Sequence, residues 1–137
     1  MKLTQKNKIM KNKIFKLAIT LFVALLSFSC SNDNSSNTIN QYQGTWSGIY
    51  TGAEDNGTWT AVVNSSGIAT GTTTSTTFSS TYELNGAVNM EGVFAATVGS
   101  STSGASFNGI MLANGTASGT WLNNSAQMNG TWTGSKQ

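Results

Sequence analysis

The chain has 137 residues, about half of them Asn, Ser, Thr or Gly, and only 9% of its residues are charged. Six of the seven basic residues precede the apolar run at 17–28 and all five acids follow residue 30, so the rest of the chain is acidic. This distribution leaves no positive patch for nucleic acid. The lack of histidine excludes Ser-His-Asp, Cys-His and His-metal sites.

Residues 1–29 have the three-part layout of a secretory signal. A lysine-rich segment precedes the apolar run LAITLFVALLSF, and small residues follow it. The run has about 12 residues, whereas a helix needs roughly 20 to span a bilayer. We therefore expect a signal peptide that is removed, rather than a permanent transmembrane helix.

The only cysteine, Cys30, ends the segment LLSFSC, which resembles the lipobox of bacterial lipoproteins. The resemblance implies a mature N-terminus at Cys30 that carries diacylglycerol and an N-acyl group such as palmitate. Phe28 and the position of the leucine depart from the usual pattern, and ordinary cleavage that leaves a free thiol is the alternative. A lone cysteine in an exported chain cannot form an internal disulfide, which favours the lipidated form.

The lipobox resemblance also implies a cellular location for the protein. Three acyl chains would hold it stably on a membrane, whereas a single chain binds only marginally. We expect it in the bacterial cell envelope, anchored to the outer membrane, with its domain on the periplasmic or the surface face. Residues 30–42 are polar and lack periodicity, so they are predicted to be the lipidated cysteine and a flexible tether.

From residue 43 to 137, short runs alternate apolar or aromatic residues with polar ones between Gly- and Asn-rich breaks. The pattern predicts an all-β domain with eight strands, near 43–51, 57–64, 67–76, 80–89, 92–99, 105–113, 116–123 and 127–134. Breaks this short join antiparallel neighbours. We therefore expect an antiparallel meander, closed into a small up-and-down β-barrel; a curled open sheet or a two-sheet sandwich is the alternative.

Five Asn-Gly pairs begin at Asn56, Asn85, Asn108, Asn114 and Asn129. Asn-Gly is a strong signal for a tight hairpin. We expect hairpin turns at Asn56 and Asn114, which fall at predicted breaks. The other three pairs conflict with the strands assigned around them.

The motif GTW occurs four times and contains every tryptophan: Trp46, Trp59, Trp121 and Trp132. Alternation places these rings on the inward face together with Tyr50, often with a glycine two positions away, which suits a tapering interior. We expect the indoles to form the core, with one of them exposed at a barrel mouth. The alternative is an outer surface of indoles that stack on sugar rings. These five aromatic residues are the candidate ligand-binding residues.

Two segments, GTWTAVVNSSGIATGTTTS (57–75) and YELNGAV (82–88), resemble the first strands of the avidin and streptavidin family. That family consists of eight-stranded barrels that bind biotin, so the resemblance implies a barrel. Thr73 stands where the family has a tyrosine, and no aspartate follows Asp55 to meet a ureido group. Biotin binding is therefore not implied. Calycin-like barrels with GxWxG strands are equally similar, and such likenesses do not transmit a function.

The acids after the tether do not form a predicted catalytic pair. Glu54 and Asp55 are adjacent in a turn, Glu91 lies in another turn, and Glu83 points outward if its neighbours point inward. We expect all four to be solvated, whereas a glycosidase needs two facing carboxyl groups. Calcium at Glu54, Asp55 and Asn56 would have too few ligands without an EF-hand-like loop. We therefore expect no enzyme activity, no bound metal and no cofactor.

These features together predict a non-enzymatic lipoprotein of the bacterial envelope whose domain binds a small molecule or a glycan. A structural or adhesive surface protein is the alternative, in which low-charge, Thr-rich strands stack between molecules.

Overall fold

A computed structural model describes residues 38–137. These residues form eight antiparallel strands in meander order that close into a barrel, which confirms the predicted all-β class and barrel. The strands are β1 (Gly44–Gly52), β2 (Asn56–Val63), β3 (Ile68–Ser75), β4 (Ser80–Val88), β5 (Val93–Val98), β6 (Ala105–Met111), β7 (Thr116–Asn123) and β8 (Met128–Lys136). Each lies within two residues of its predicted bounds. Closure comes from β1, which pairs with both β2 and β8.

The strands form where inward and outward residues alternate. In β2, Gly57, Trp59, Ala61 and Val63 are buried, while every residue between them is exposed. Successive side chains of a strand point to opposite faces, so this pattern gives one apolar face and one polar face. The apolar faces of the eight strands meet inside the barrel and form its core.

Threonine dominates the outer face of several strands. Its β-branched side chain suits a pleated surface, and neighbouring hydroxyls can form hydrogen bonds across strands. Three cross-strand pairs join their Oγ1 atoms at 3.2 to 3.4 Å: Thr51 with Thr131, Thr60 with Thr72, and Thr74 with Thr81. On these strands hydroxyl groups, rather than charges, supply most of the polar outer surface.

Three connections at one end of the barrel share one conformation: residues 64–67, 89–92 and 112–115. Each ends in a glycine with φ between +81° and +85°, a left-handed conformation that glycine adopts without steric cost. The carbonyl of each of these glycines accepts a hydrogen bond from the backbone N–H at the end of the following hairpin, at 2.8 to 2.9 Å. Each turn therefore also stabilises the end of the following hairpin through this hydrogen bond.

Residues 39–42 cover this same end. Ile39–Gln41 form a short 3-10 helix. Tyr42, placed in the tether from the sequence, is buried in the core, with its hydroxyl close to Gly92. The indole Nε1 of Trp46 donates a hydrogen bond to the Tyr42 carbonyl at 2.8 Å. We refer to this end as the closed end.

The opposite end, the mouth, is formed by the connections 53–55, 76–79, 99–104 and 124–127. Residues 38–137 contain no helix that is long and apolar enough to cross a bilayer.

Only one of the five Asn-Gly pairs forms a turn, the pair that begins at Asn114. The hairpin turn expected at Asn56 is wrong, because Asn56 already pairs with Thr51 as the first residue of β2. The remaining three pairs lie inside β4, β6 and β8. There the glycines face inward and leave space for neighbouring side chains.

Glycines on the inner wall leave space for three of the indole rings. A side chain on the glycine opposite each ring would overlap that ring: Gly134 opposite Trp59, Gly130 opposite Trp121, and Gly119 opposite Trp132. Each indole N–H donates to a strand carbonyl at 3.0 to 3.1 Å: Trp59 to Thr133, Trp121 to Thr51, and Trp132 to Thr120. All four tryptophans are at most 3% exposed, which confirms their predicted place in the core. The expectation that one indole is exposed at a barrel mouth is wrong, because even Trp121, which borders the mouth, is 3% exposed.

We predict that Gly134→Ala lowers the free energy of unfolding by about 1–3 kcal/mol. The added methyl group would overlap the ring of Trp59 and disturb its hydrogen bond to the Thr133 carbonyl. Urea denaturation followed by tryptophan fluorescence measures the change. Ser135→Ala is the matched control, since Ser135 is the exposed next residue on β8, and should change stability by less than about 0.5 kcal/mol. Equal effects of the two substitutions would contradict the steric role of Gly134.

Candidate functional site

A pocket of about 560 Å³ opens at the mouth of the barrel. Its floor is aromatic, because the buried rings of Tyr50, Phe107 and Trp121 border it. Tyr50 meets Phe107 and Trp121 edge to face, with ring centroids 5.8 Å and 5.6 Å apart. The wall around these rings also contains Thr73, Val98, Gly99, Ser100, Ser103, Gly104, Ala105, Asn123, Ala126 and Met128.

The rim of the pocket carries two further rings. Phe78 and Tyr82 line the pocket, yet they are 51% and 40% exposed. Phe78 lies in the connection between β3 and β4, and Tyr82 lies near the start of β4. A molecule in the mouth would therefore meet apolar surface both at the floor and at the rim.

One carboxylate, that of Asp55, is buried in this pocket and is 8% exposed. The Tyr50 hydroxyl donates to its Oδ2 at 3.0 Å, and the Ser75 hydroxyl donates to its Oδ1 at 2.6 Å. The backbone N–H of Phe78 donates in turn to Ser75 Oγ at 2.9 Å. The connections β1–β2 and β3–β4 are thus joined through a single carboxylate.

The expectation that Asp55 is a solvated turn residue is wrong. Asp55 precedes β2 by one residue and continues its inward alternation, since Asp55, Gly57 and Trp59 are all buried. Extending the period-two pattern of Trp59 backward by four residues would have found it. Glu54, Glu83 and Glu91 are exposed, as predicted.

The pocket contains no positive side chain. Within residues 38–137 the only basic residue is Lys136, which lies at the closed end and donates Nζ–H to the Gln41 carbonyl at 3.1 Å. Every buried side-chain N or O atom in the described part of the chain has a hydrogen-bond partner. Asp55 is therefore satisfied by neutral donors alone.

The structure separates the five aromatic residues selected from the sequence. Tyr50 and Trp121 border the pocket. Trp59 and Trp132 pack below them, with ring centroids 5.4 Å apart, and Trp46 lies at the closed end beside Tyr42. The sequence reasoning missed Asp55 and Phe107 as pocket residues, and Ser75 as the hydroxyl that donates to Asp55.

The signal segment 1–29, Cys30 and the tether up to residue 37 lie outside the described residues. Within residues 38–137, no group of three or more His, Cys, Asp or Glu side chains is arranged to hold a metal ion. No protein-family model matches the chain, and no curated protein matches it.

The Tyr50 hydroxyl is the titratable group of the pocket whose surroundings change its acidity most clearly. Burial, followed by the hydrogen bond to Asp55, raises the pKa of Tyr50 from 10.0 to about 12. The folded barrel thus holds this proton more tightly than the unfolded chain does. The stabilisation is fully present below pH 10 and is lost as the pH rises from 10 to 12.

We predict that Tyr50→Phe reduces the loss of stability between pH 10 and 12, because phenylalanine has no proton to lose. Denaturant midpoints measured at steps of pH across this range test the change. Absorbance titration near 295 nm should show a tyrosine step near pH 12 that Tyr50→Phe removes and Tyr82→Phe retains. A step that persists in Tyr50→Phe would contradict the assignment.

Proposed function

We propose that this protein is a lipid-anchored binding module of the bacterial envelope that holds a small molecule in the mouth of its barrel. The pocket carries the proposal. Its volume of about 560 Å³ lies within the roughly 300–1,000 Å³ that small-molecule sites occupy. Its apolar and aromatic lining with a few convergent polar groups is also typical of such sites.

The filling of the barrel supports a site at the mouth rather than deeper inside. Trp46, Trp59, Trp132, Phe94 and Met111 are at most 1% exposed and occupy the interior between the pocket floor and the closed end. Rigid, packed side chains below a cavity keep its walls in place without the ligand, which reduces the cost of ordering them on binding.

A glycan that stacks on an outer surface receives less support. Sugar rings stack on exposed aromatic faces, and the four tryptophans are all buried. A structural role through strand stacking also receives less support, because every strand of the described barrel pairs on both sides. Strand addition needs a free edge.

We also propose that the module binds without catalysing a reaction. The one carboxylate that lines the pocket is Asp55, and it accepts hydrogen bonds from the hydroxyls of Tyr50 and Ser75. General acid–base or nucleophilic chemistry needs a second partner whose pKa is suited to proton transfer, and the chain has no histidine to provide it.

We predict that the neutral fluorescent dye N-phenyl-1-naphthylamine binds in the pocket and that Ala105→Trp abolishes its binding. Ala105 lines the pocket, so an indole at this position would fill the mouth. Ala95→Trp is the matched control, because Ala95 is exposed on β5, and should leave dye binding unchanged. Fluorescence titration measures the affinity, and far-ultraviolet circular dichroism checks the fold. Equal binding by both variants would place the dye elsewhere.

We predict that the mature protein begins at Cys30 and carries diacylglycerol and an N-acyl chain. Mass spectrometry of protein extracted from membranes would show these additions. Cys30→Ser should move the protein from the membrane fraction to the soluble fraction, because the anchor is lost. An unmodified Cys30 or an intact leader would overturn the anchor.

A further inference from the structure

We propose that the occupant of the mouth pocket is an organic cation, a small amine or quaternary ammonium compound with an apolar or aromatic body. This inference rests on the proposed function, because it names the chemical class of the ligand for the same pocket. Its positive group would lie beside the Asp55 carboxylate, and its apolar body would lie against the aromatic floor.

The first argument concerns where Asp55 lies and how many hydrogen bonds its carboxylate accepts. Each of its oxygens accepts one side-chain hydrogen bond, from Tyr50 and from Ser75, whereas a carboxylate offers about four acceptor sites in total. Acceptor capacity therefore remains on both oxygens, in a residue that lines the cavity.

The second argument is the missing counter-charge. A buried carboxylate is costly unless a positive group pairs with it. Among residues 38–137 the only cationic side chain is Lys136, and it is held at the closed end by Gln41. A cationic ligand would supply the charge that the barrel does not.

The aromatic lining suits the same ligand. The rings of Tyr50, Phe107 and Trp121 border the cavity beside Asp55, and Phe78 and Tyr82 stand at its rim. Aromatic faces attract ammonium groups within about 6 Å of the ring centroid, and the same rings hold apolar carbon by burial. An alkylammonium or arylalkylamine combines both properties in one molecule.

The charges of the described residues are also unevenly placed. Glu54 and Asp55 lie in a mouth connection, and Glu83 lies in the mouth half of β4. Glu91 and Lys136 lie at the closed end. A one-signed field at the entrance of a cleft concentrates ligands of the opposite sign, so the mouth favours cations and disfavours anions.

An inorganic cation fits the pocket poorly. Calcium takes 6–8 oxygen ligands, usually several of them carboxylates. Asp55 is the only carboxylate that lines the pocket, and the described residues hold no group of three metal-binding side chains. The geometry therefore points to one point charge attached to a carbon skeleton.

The test compares three probes of nearly equal shape on the intact protein: 4-phenylbutylamine, 4-phenylbutan-1-ol and 4-phenylbutanoate. At neutral pH the first is positive, the second is neutral and the third is negative. Isothermal titration calorimetry and displacement of N-phenyl-1-naphthylamine give the affinities. We expect the amine to bind about tenfold or more tightly than the alcohol, and the carboxylate to bind most weakly.

The variants Asp55→Asn and Glu91→Gln remove the same charge in different places. Asp55→Asn should lower the affinity for the amine about tenfold more than it lowers the affinity for the alcohol, and so abolish the preference for the amine. Glu91→Gln, at the closed end, should keep the preference. An amine preference that survives Asp55→Asn, or a wild-type protein that binds the alcohol or the carboxylate at least as tightly as the amine, would overturn the inference.

These outcomes distinguish the two proposals. If the dye binds in the mouth but the amine has no advantage, the cation inference fails and the binding function stands. If neither the dye nor any of the three probes binds, the proposed function itself fails. Circular dichroism checks that Asp55→Asn is folded; if it is not, the wild-type ranking of the three probes decides the question.

Discussion

The barrel depends on one steric constraint, which is that an indole can approach the inner wall closely only where the wall has no side chain. Glycines opposite Trp59, Trp121 and Trp132 meet this requirement. Removing the side chain also lets the indole N–H reach a strand carbonyl. A buried indole N–H needs such a partner, so packing and hydrogen bonding are satisfied together at the same positions.

These indoles connect parts of the barrel that are distant along the chain. Trp132 of β8 stacks on Phe107 of β6 and meets Phe94 of β5 and Trp59 of β2 edge to face, with ring centroids 5.4 to 6.2 Å apart. The ring of Trp132 thus contacts strands that lie on both sides of the β1–β8 pairing that closes the barrel. The aromatic network fills the interior towards the closed end, where Tyr42 and the short helix cover it.

The mouth differs from the filled interior because the large aromatic side chains lie below it. Small residues such as Gly99, Ser103 and Ala105 line the wall there, so the interior stays open above Tyr50 and Trp121. The one buried carboxylate of residues 38–137 lies at this boundary, where it accepts hydrogen bonds from hydroxyl groups of β1 and β3. The pocket therefore combines apolar area with an uncompensated negative group, and this combination is the reason that we propose a cationic ligand.

Much of the fold and part of the site could be predicted, because strand alternation and short breaks are local signals. The inward placement of Tyr50 and Trp121 followed from period two alone. The Asn-Gly pair at Asn56 led to a wrong prediction of a hairpin turn. Glycine is favoured both in a flexible turn and at a position that must leave space beside a ring, and the sequence pattern does not distinguish the two. The burial of Asp55 was missed because a charged residue in a polar turn is ordinarily solvated.

The sequence by itself determined the strands, their antiparallel order and the inward face of the strands that carry tryptophan, because these depend on residues close together in the chain. Only the tertiary structure decided which inward side chains meet, because closure brings β8 against β1 and sets which glycine faces which indole. The same closure placed the open pocket at the mouth and Asp55 inside it. Contacts between residues far apart in the chain leave no local pattern from which to predict them.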